Sequence, residues 1–156
     1  MEHNDTTLHE LSSGSESWLR GKIDDGEVDK TVGLVKSMGT ANAVAADDST
    51  TSVTGTVICA IFYWRITLDT PDGHHFVGNA GGLGSMGGGG LQGGYLKGVP
   101  DLPTLYAKAV SFQFNCAAVG LNVNFFDKDS NLVGTYVGGG LGICLGTGGG
   151  SGSWSS

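Results

Sequence analysis

Apolar and polar residues alternate with a period of two through residues 110–126, and the alternation changes phase halfway along. Val110, Phe112, Phe114 and Cys116 place apolar groups at even positions, whereas Val119, Leu121, Val123 and Phe125 place them at odd ones. Successive strand side chains point to opposite faces, so the change of phase predicts a turn between two strands that share one core. A tight hairpin is expected at residues 115–118. The polar run Asp127-Lys128-Asp129-Ser130-Asn131 then turns the chain into a third strand at 132–137. From Ile58 onward, Ala60, Phe62, Trp64, Ile66 and Leu68 are apolar while Tyr63, Arg65, Thr67 and Asp69 take the other face. That alternation predicts one long strand with a buried and a wetter side, extended backward through 53–57 by a bulge at Gly55.

Asp69-Thr70-Pro71-Asp72-Gly73 predicts a turn, because proline presets the backbone at an early position and glycine accepts the left-handed one. Strands are expected at 74–83 and 91–98, and toward the C-terminus Leu141-Gly142-Ile143-Cys144-Leu145 leads into residues 146–153 and Trp154. The one place suited to a short helix is 99–107, with Asp101 as its cap and Pro103 early in it. Residues 31–38 suggest a weak first strand, and 40–52 a loop or a short Ala-rich helix. Residues 1–29 show neither a sustained helical stripe nor strand alternation, and only Trp18 and Leu19 offer an apolar pair with which to dock.

About eight short strands with one helical turn give an all-β chain, either a closed antiparallel barrel or a sandwich. Glycines inside strands help a small barrel turn its corners, which favours the closed eight-stranded barrel. The expected organisation is a flexible acidic arm at 1–29 followed by a glycine-rich barrel at 30–156.

Composition sharpens this division. Glycine contributes 29 of 156 residues without any Gly-X-Y period, and the apolar fraction of 39% exceeds that of a disordered chain. Residues 1–48 carry ten of the fifteen acids and four bases, whereas 49–156 carry five acids and four bases. No cluster of Lys and Arg exists to neutralise phosphates, which argues against nucleic acid as a partner and against polybasic attraction to anionic membranes. No segment approaches the length of a transmembrane helix, and Met1 to Asp5 lacks the basic start and apolar centre of a signal peptide. Cys59, Cys116 and Cys144 lack metal-ligand spacing; they are expected as small buried residues on strands, one disulfide with a free thiol being the alternative.

Three segments invite a chemical reading. Gly82-Leu83-Gly84-Ser85-Met86-Gly87 matches the dinucleotide pattern G-x-G-x-x-G, but three further glycines follow where that pattern requires a helix. Asp127 to Asn131 resembles the start of a calcium loop, yet Leu132 replaces the sixth-position glycine and Gly138 the closing Glu. Asp72, His74 and His75 lie close together, but adjacent strand residues face opposite ways, so the two histidines are expected to be separate surface groups. Nothing marks one serine as a nucleophile. The aromatics Phe62, Trp64, Phe76, Phe112, Phe114, Phe125 and Tyr136 are expected to pack the barrel interior; lining a ligand cavity, as in calycin-type carriers, is the alternative. These readings predict no catalytic, cofactor-binding or metal site.

The run 61–69 (Ile-Phe-Tyr-Trp-Arg-Ile-Thr-Leu-Asp), the segment 110–126 and the tail Gly148-Gly149-Gly150-Ser151-Gly152-Ser153-Trp154 together resemble the virulence-associated protein (Vap) family of rhodococci. The resemblance is carried by residues from about 50 to the C-terminus and finds no counterpart in the arm. It implies a variable N-terminal region before a compact eight-stranded barrel with a filled interior. It further implies a secreted, non-enzymatic effector or host-interaction module, without cofactor, acting in the host phagocyte's endocytic compartment. The partner so implied is a host factor, an endolysosomal membrane or lipid being one candidate. A small-molecule, lipid-like carrier is the alternative function.

Overall fold

The computed structural model describes residues 11, 13–22, 24–37, 49–117, 120–140 and 145–156. Residues 13–19 form helix α1. There follow α2 (Asp25–Ser37), β1 (Thr50–Ala60), β2 (Tyr63–Asp69), β3 (His75–Gly84), β4 (Met86–Gly98), α3 (Leu102–Lys108), β5 (Ser111–Ala117), β6 (Gly120–Phe126), β7 (Leu132–Gly140) and β8 (Gly146–Ser155). The eight strands close into an antiparallel barrel in the order β1-β2-β3-β8-β5-β6-β7-β4. Read from β4, this circle is 4-1-2-3 followed by 8-5-6-7, two successive Greek keys. The halves are joined at β3–β8 and at β4–β7.

The phase change that predicts the β5–β6 hairpin is realised. Phe112, Phe114 and Cys116 from β5 and Leu121, Val123 and Phe125 from β6 all enter one core. The pairing of Ala117 with Gly120 puts the connection two residues later than expected, at 118–119, outside the described residues. Val119 is outside them as well, and Val110 is exposed.

The run beginning at Ile58 folds differently from expectation. It is two strands: Ala60 pairs with Tyr63 across a two-residue turn, Ile61-Phe62. Val53, Val57 and Cys59 point inward before the turn, and Trp64, Ile66 and Leu68 after it. Ala60 and Phe62 therefore leave the apolar face, and Phe62 is 68% exposed rather than in the core. Apolar residues on both faces near the turn hide the flip. The bulge expected at Gly55 is present, between Val53 and Gly55 in the pairing with β4. The glycine-dense stretch after Gly84 is also strand, because β4 starts at Met86 rather than at Leu91.

The lumen is packed with rings. Trp64 and Phe114 lie 4.3 Å apart between centroids, and Phe76 meets Phe125 edge-on at 5.1 Å and Phe112 at 5.6 Å. Such pairs contribute roughly 0.5–1.5 kcal/mol each beyond their burial. The inner walls of β3 and β8 carry glycine opposite these rings: a Cβ at Gly78 would stand 2.6 Å from Cε1 of Phe112. Helix α3, with Asp101 at its N-cap and Pro103 in its first turn, closes one end with Leu102 and Leu105.

The N-terminal region departs most from expectation. Residues 31–37 continue α2 rather than forming a strand, so the helix crosses the boundary placed at 29/30. Val28 and Val32 of α2, together with Leu19 of α1, bury Phe126 and Leu132 on the outside of β6 and β7. The Glu27 carboxylate accepts a hydrogen bond from the Leu132 amide at 2.9 Å. Helix α1 lies so close to β5 that a Cβ on Gly14 would meet the whole Asn115 carboxamide at 2.3–2.5 Å. Cys59 is disulfide-bonded and Cys116 is free and buried, so the disulfide alternative holds at Cys59. Cys144 lies outside the described residues.

Candidate functional site

Because every strand runs from one end of the barrel to the other, the two ends can be compared directly. The first contains the β2–β3 turn, α3 and the β6–β7 turn. Asp72 organises it. Its Oδ1 lies 3.0 Å from Nδ1 of His74 and accepts a hydrogen bond from the Thr70 hydroxyl, while Oδ2 accepts from the Tyr106 hydroxyl at 3.4 Å. The His74 ring stacks on Tyr106, 3.8 Å between centroids and 10° between planes, and Tyr106 in turn leans on Trp154 at 5.1 Å. Burial alone would raise the Asp72 carboxyl, but the hydrogen bonds from Thr70 and His74 outweigh it and hold the group below its ordinary value. Tyr106 is pushed up, chiefly by burial. This cluster fastens the β2–β3 turn to α3, beside an open groove of about 860 Å³ lined by His74, Asp101, Tyr106 and Trp154.

His75 engages a different carboxylate, Asp69. The two histidines are thus separated, as their strand positions require. Among the described residues no group of three His, Cys, Asp or Glu side chains could hold a metal ion. Asp127 spends Oδ1 on the amides of Asp129 and Asn131, both at 2.9 Å, which makes the calcium-like segment a closed turn. Gly82 to Gly87 runs through the end of β3 and the start of β4, with no helix N-terminus to receive a phosphate.

The opposite end has the reverse character. Of the large apolar side chains exposed in the described protein, Ile58, Ile61, Phe62, Tyr63, Met86 and Leu145 belong here, and only Val110 belongs to the first end. Three connections bring them together. Ala60 pairs with both Tyr63 and Met86, the Gly84 amide donates to the Ile61 carbonyl at 3.1 Å, and the Ser85 amide donates to the Leu145 carbonyl at 3.0 Å. Among the described residues of the barrel, Asp69, Asp72, Lys97, Asp101, Lys108, Asp127, Lys128 and Asp129 are at the first end, and the charged side chain beside this rim is Arg65, exposed on β2 and paired with Ile58. The sequence pattern misses this rim because it assigns Phe62 to the core and Tyr63 to a wetter face.

A third feature is a polar seam beneath α1. The outward residues Gln113, Asn115, Asn122, Asn124 and Thr135 would ordinarily meet water, yet all are buried, with Ser15 of α1 among them. Asn124 donates to Gln113 Oε1 at 2.6 Å and accepts from Thr135 at 2.7 Å, and Ser15 donates to Asn122. The absence of any charged residue from this set is the one hint of burial that the sequence contains.

The model of the Rhodococcus equi virulence-associated protein family matches residues 2–155. The chain belongs to this family. The match includes the N-terminal region, where the sequence resemblance finds no counterpart. Two solved Vap structures share the fold. The virulence-associated protein VapB from the intracellular pathogen Rhodococcus equi is 39% identical, with a TM-score of 0.62 over 69% of this chain and 96% of that one. VapD from the same organism is 37% identical, with a TM-score of 0.65 over 70% of this chain and all of its own. No curated protein matches the chain. Among the described residues of this Vap family member, no helix is long and apolar enough to cross a membrane.

Proposed function

We propose that this Vap family member is a secreted, non-enzymatic effector that acts in the host phagocyte's endocytic compartment by docking onto a host component. The observation that carries this reading is the apolar rim. Exposed Phe62 and Met86, at 68% and 70%, stand among four other large apolar residues, with Arg65 at the edge of the patch opposite Ile58. A contiguous patch of that kind on a folded domain marks an interaction site. The chemistry at the other end supports the same reading, since Asp72, His74, Thr70 and Tyr106 are committed to one another and hold a turn against a helix. The packed rings occupy the lumen in which a calycin-type carrier would hold its ligand.

The test is intracellular survival of the bacterium in macrophages, comparing the chain with two double variants. Asp72→Asn with His74→Ala should retain full activity, and Phe62→Ser with Met86→Ser should lose it. The opposite pattern would replace the docking reading with a catalytic one.

A further inference from the structure

We infer that the groove at the α3 end of the barrel binds a neutral saccharide; this goes beyond the docking reading and does not depend on the apolar rim. The groove, about 860 Å³ and open to solvent, falls within the roughly 300–1,000 Å³ of small-ligand sites. Its hydrogen-bonding groups, its charge and its apolar strip each narrow the occupant.

Two carboxylates line the groove, and Asp72 is taken up by Thr70, His74 and Tyr106. Asp101 spends Oδ1 on the Thr104 amide at 2.9 Å and the Thr104 hydroxyl at 2.7 Å, and no described residue bonds its Oδ2. The bonds from Thr104 hold this carboxyl below its ordinary value, so Oδ2 belongs to a charged acceptor near neutrality. Trp154, also on the groove, is only 9% exposed, and its Nε1 finds no acceptor among the described residues. A buried N–H without an acceptor is uncommon, and a ligand oxygen supplies the missing partner. The occupant must therefore donate to Asp101 and accept from Trp154. Hydroxyl groups do both, whereas an alkylammonium group only donates.

Charge excludes the acidic sugars and phosphates. No Lys or Arg lines the groove, so its two carboxylates would repel an anion. The wall also has an apolar strip: Pro103 and Ala107, exposed and four residues apart on α3, lie beside the Tyr106 ring that His74 holds in place. A pyranose ring presents C–H groups to such a strip while its hydroxyls reach the polar partners. A peptide carries donors and acceptors too, but its backbone pairs with a free sheet edge, and the closed barrel has none.

An NMR titration of the full, nitrogen-labelled chain with neutral hexasaccharides of glucose, mannose and galactose tests the assignment. At least one should bind and shift the indole N–H of Trp154, which is identified by its disappearance in Trp154→Phe. Trp154→Phe keeps a ring but loses the donor, and should bind about fivefold more weakly, the worth of one neutral hydrogen bond. Asp101→Asn still caps α3 and should bind about tenfold more weakly, since a charged acceptor bonds about twice as strongly. Lys128→Ser with Asp129→Ser, outside the groove, should bind like the parent. Circular dichroism establishes that the variants fold. The assignment fails if no hexasaccharide shifts the Trp154 indole, or if either groove variant binds like the parent. It also fails if spermidine or a sulfated heparin hexasaccharide displaces the neutral sugar, which would give the groove to a cation or an anion. Any of these failures leaves the docking reading standing, because that reading is tested by the rim variant in macrophages.

Discussion

Asn122 and Asn124 bond to each other twice along one face of β6: Nδ2 of Asn122 donates to Oδ1 of Asn124 at 3.1 Å, and Nδ2 of Asn124 returns the bond at 2.9 Å. Residues two apart on a strand share a face, so the pair forms a small polar plate that Ser15 of α1 covers. A buried carboxamide is tolerable only when its capacity is met, and here Gln113, Thr135 and the backbone meet it. The helix is thereby fixed in place by directional bonds as well as by apolar contact.

Replacing Asn124 with Ala orphans Gln113 Oε1 and removes both bonds to Asn122, whose Nδ2 still donates to Thr135 and to the Tyr136 carbonyl. Each buried group left unsatisfied costs about 1–3 kcal/mol. Asn124→Ala should lower unfolding stability by about 2–4 kcal/mol in a urea titration. Hydrogen exchange should rise first in residues 13–19. Ser15→Ala should cost only about 1 kcal/mol, because Asn122 and Asn124 still satisfy each other. Equal losses from the two variants would contradict the plate as the centre of the seam.

Ile61 holds φ at 60°, a left-handed conformation that a β-branched residue adopts at a cost of roughly 1–2 kcal/mol. Ile61→Asn should raise stability by about 1 kcal/mol by thermal unfolding, because Asn tolerates this backbone. A loss of stability would mean that the Ile61 side chain contributes packing that its 45% exposure conceals.

The two apolar runs show how far the pattern reaches. In 110–126 the inner positions are Phe, Cys, Leu and Val, and half of the outer ones are Gln and Asn, so the flip at the turn is visible. In 53–68 the outer positions near the turn are Ile58 and Ala60, and the turn itself is Ile61-Phe62, so nothing polar marks the reversal. The N-terminal helices escape notice for another reason. Leu19, Val28 and Val32 form no continuous stripe, and their burial depends on Phe126 and Leu132, about a hundred residues away. The paired Asp72–His74 and Asp69–His75 groups follow from the turn, but the stacking of His74 on Tyr106 depends on where α3 closes the barrel.

Asp72, Asp101 and Asp127 are all held below the ordinary carboxyl value. At Asp72 and Asp127 hydrogen bonds outweigh burial, and at Asp101 the side chain and amide of Thr104 lower it. A carboxyl more acidic in the folded state stabilises the fold above its unfolded value, about 4, and that contribution is lost as pH falls through the folded value. Unfolding free energy should therefore decline as pH drops below about 4, measured by denaturant titration. Asp72→Asn with Asp101→Asn should flatten that acid limb; an unchanged slope would assign it to other groups.

Burial pushes the Cys116 thiol up to about 12, so almost no thiolate exists near neutrality. A thiol reagent at pH 8 should leave Cys116 unmodified in the native protein and label it promptly in denaturant. Labelling at the rate of a free thiol without denaturant would mean that the lumen opens on that timescale.

The order in which the strands join also bears on how the molecule is made. β8 is the last strand in sequence, yet it lies between β3 and β5 and pairs with both. Until the last strand is delivered, the two Greek keys share only the β4–β7 seam, and the wall between β3 and β5 is open over the ring of phenylalanines. A nascent chain leaving the ribosome therefore cannot acquire its finished shape by instalments. Closure is a single late event, and a chain cut short before residue 146 has no barrel to complete.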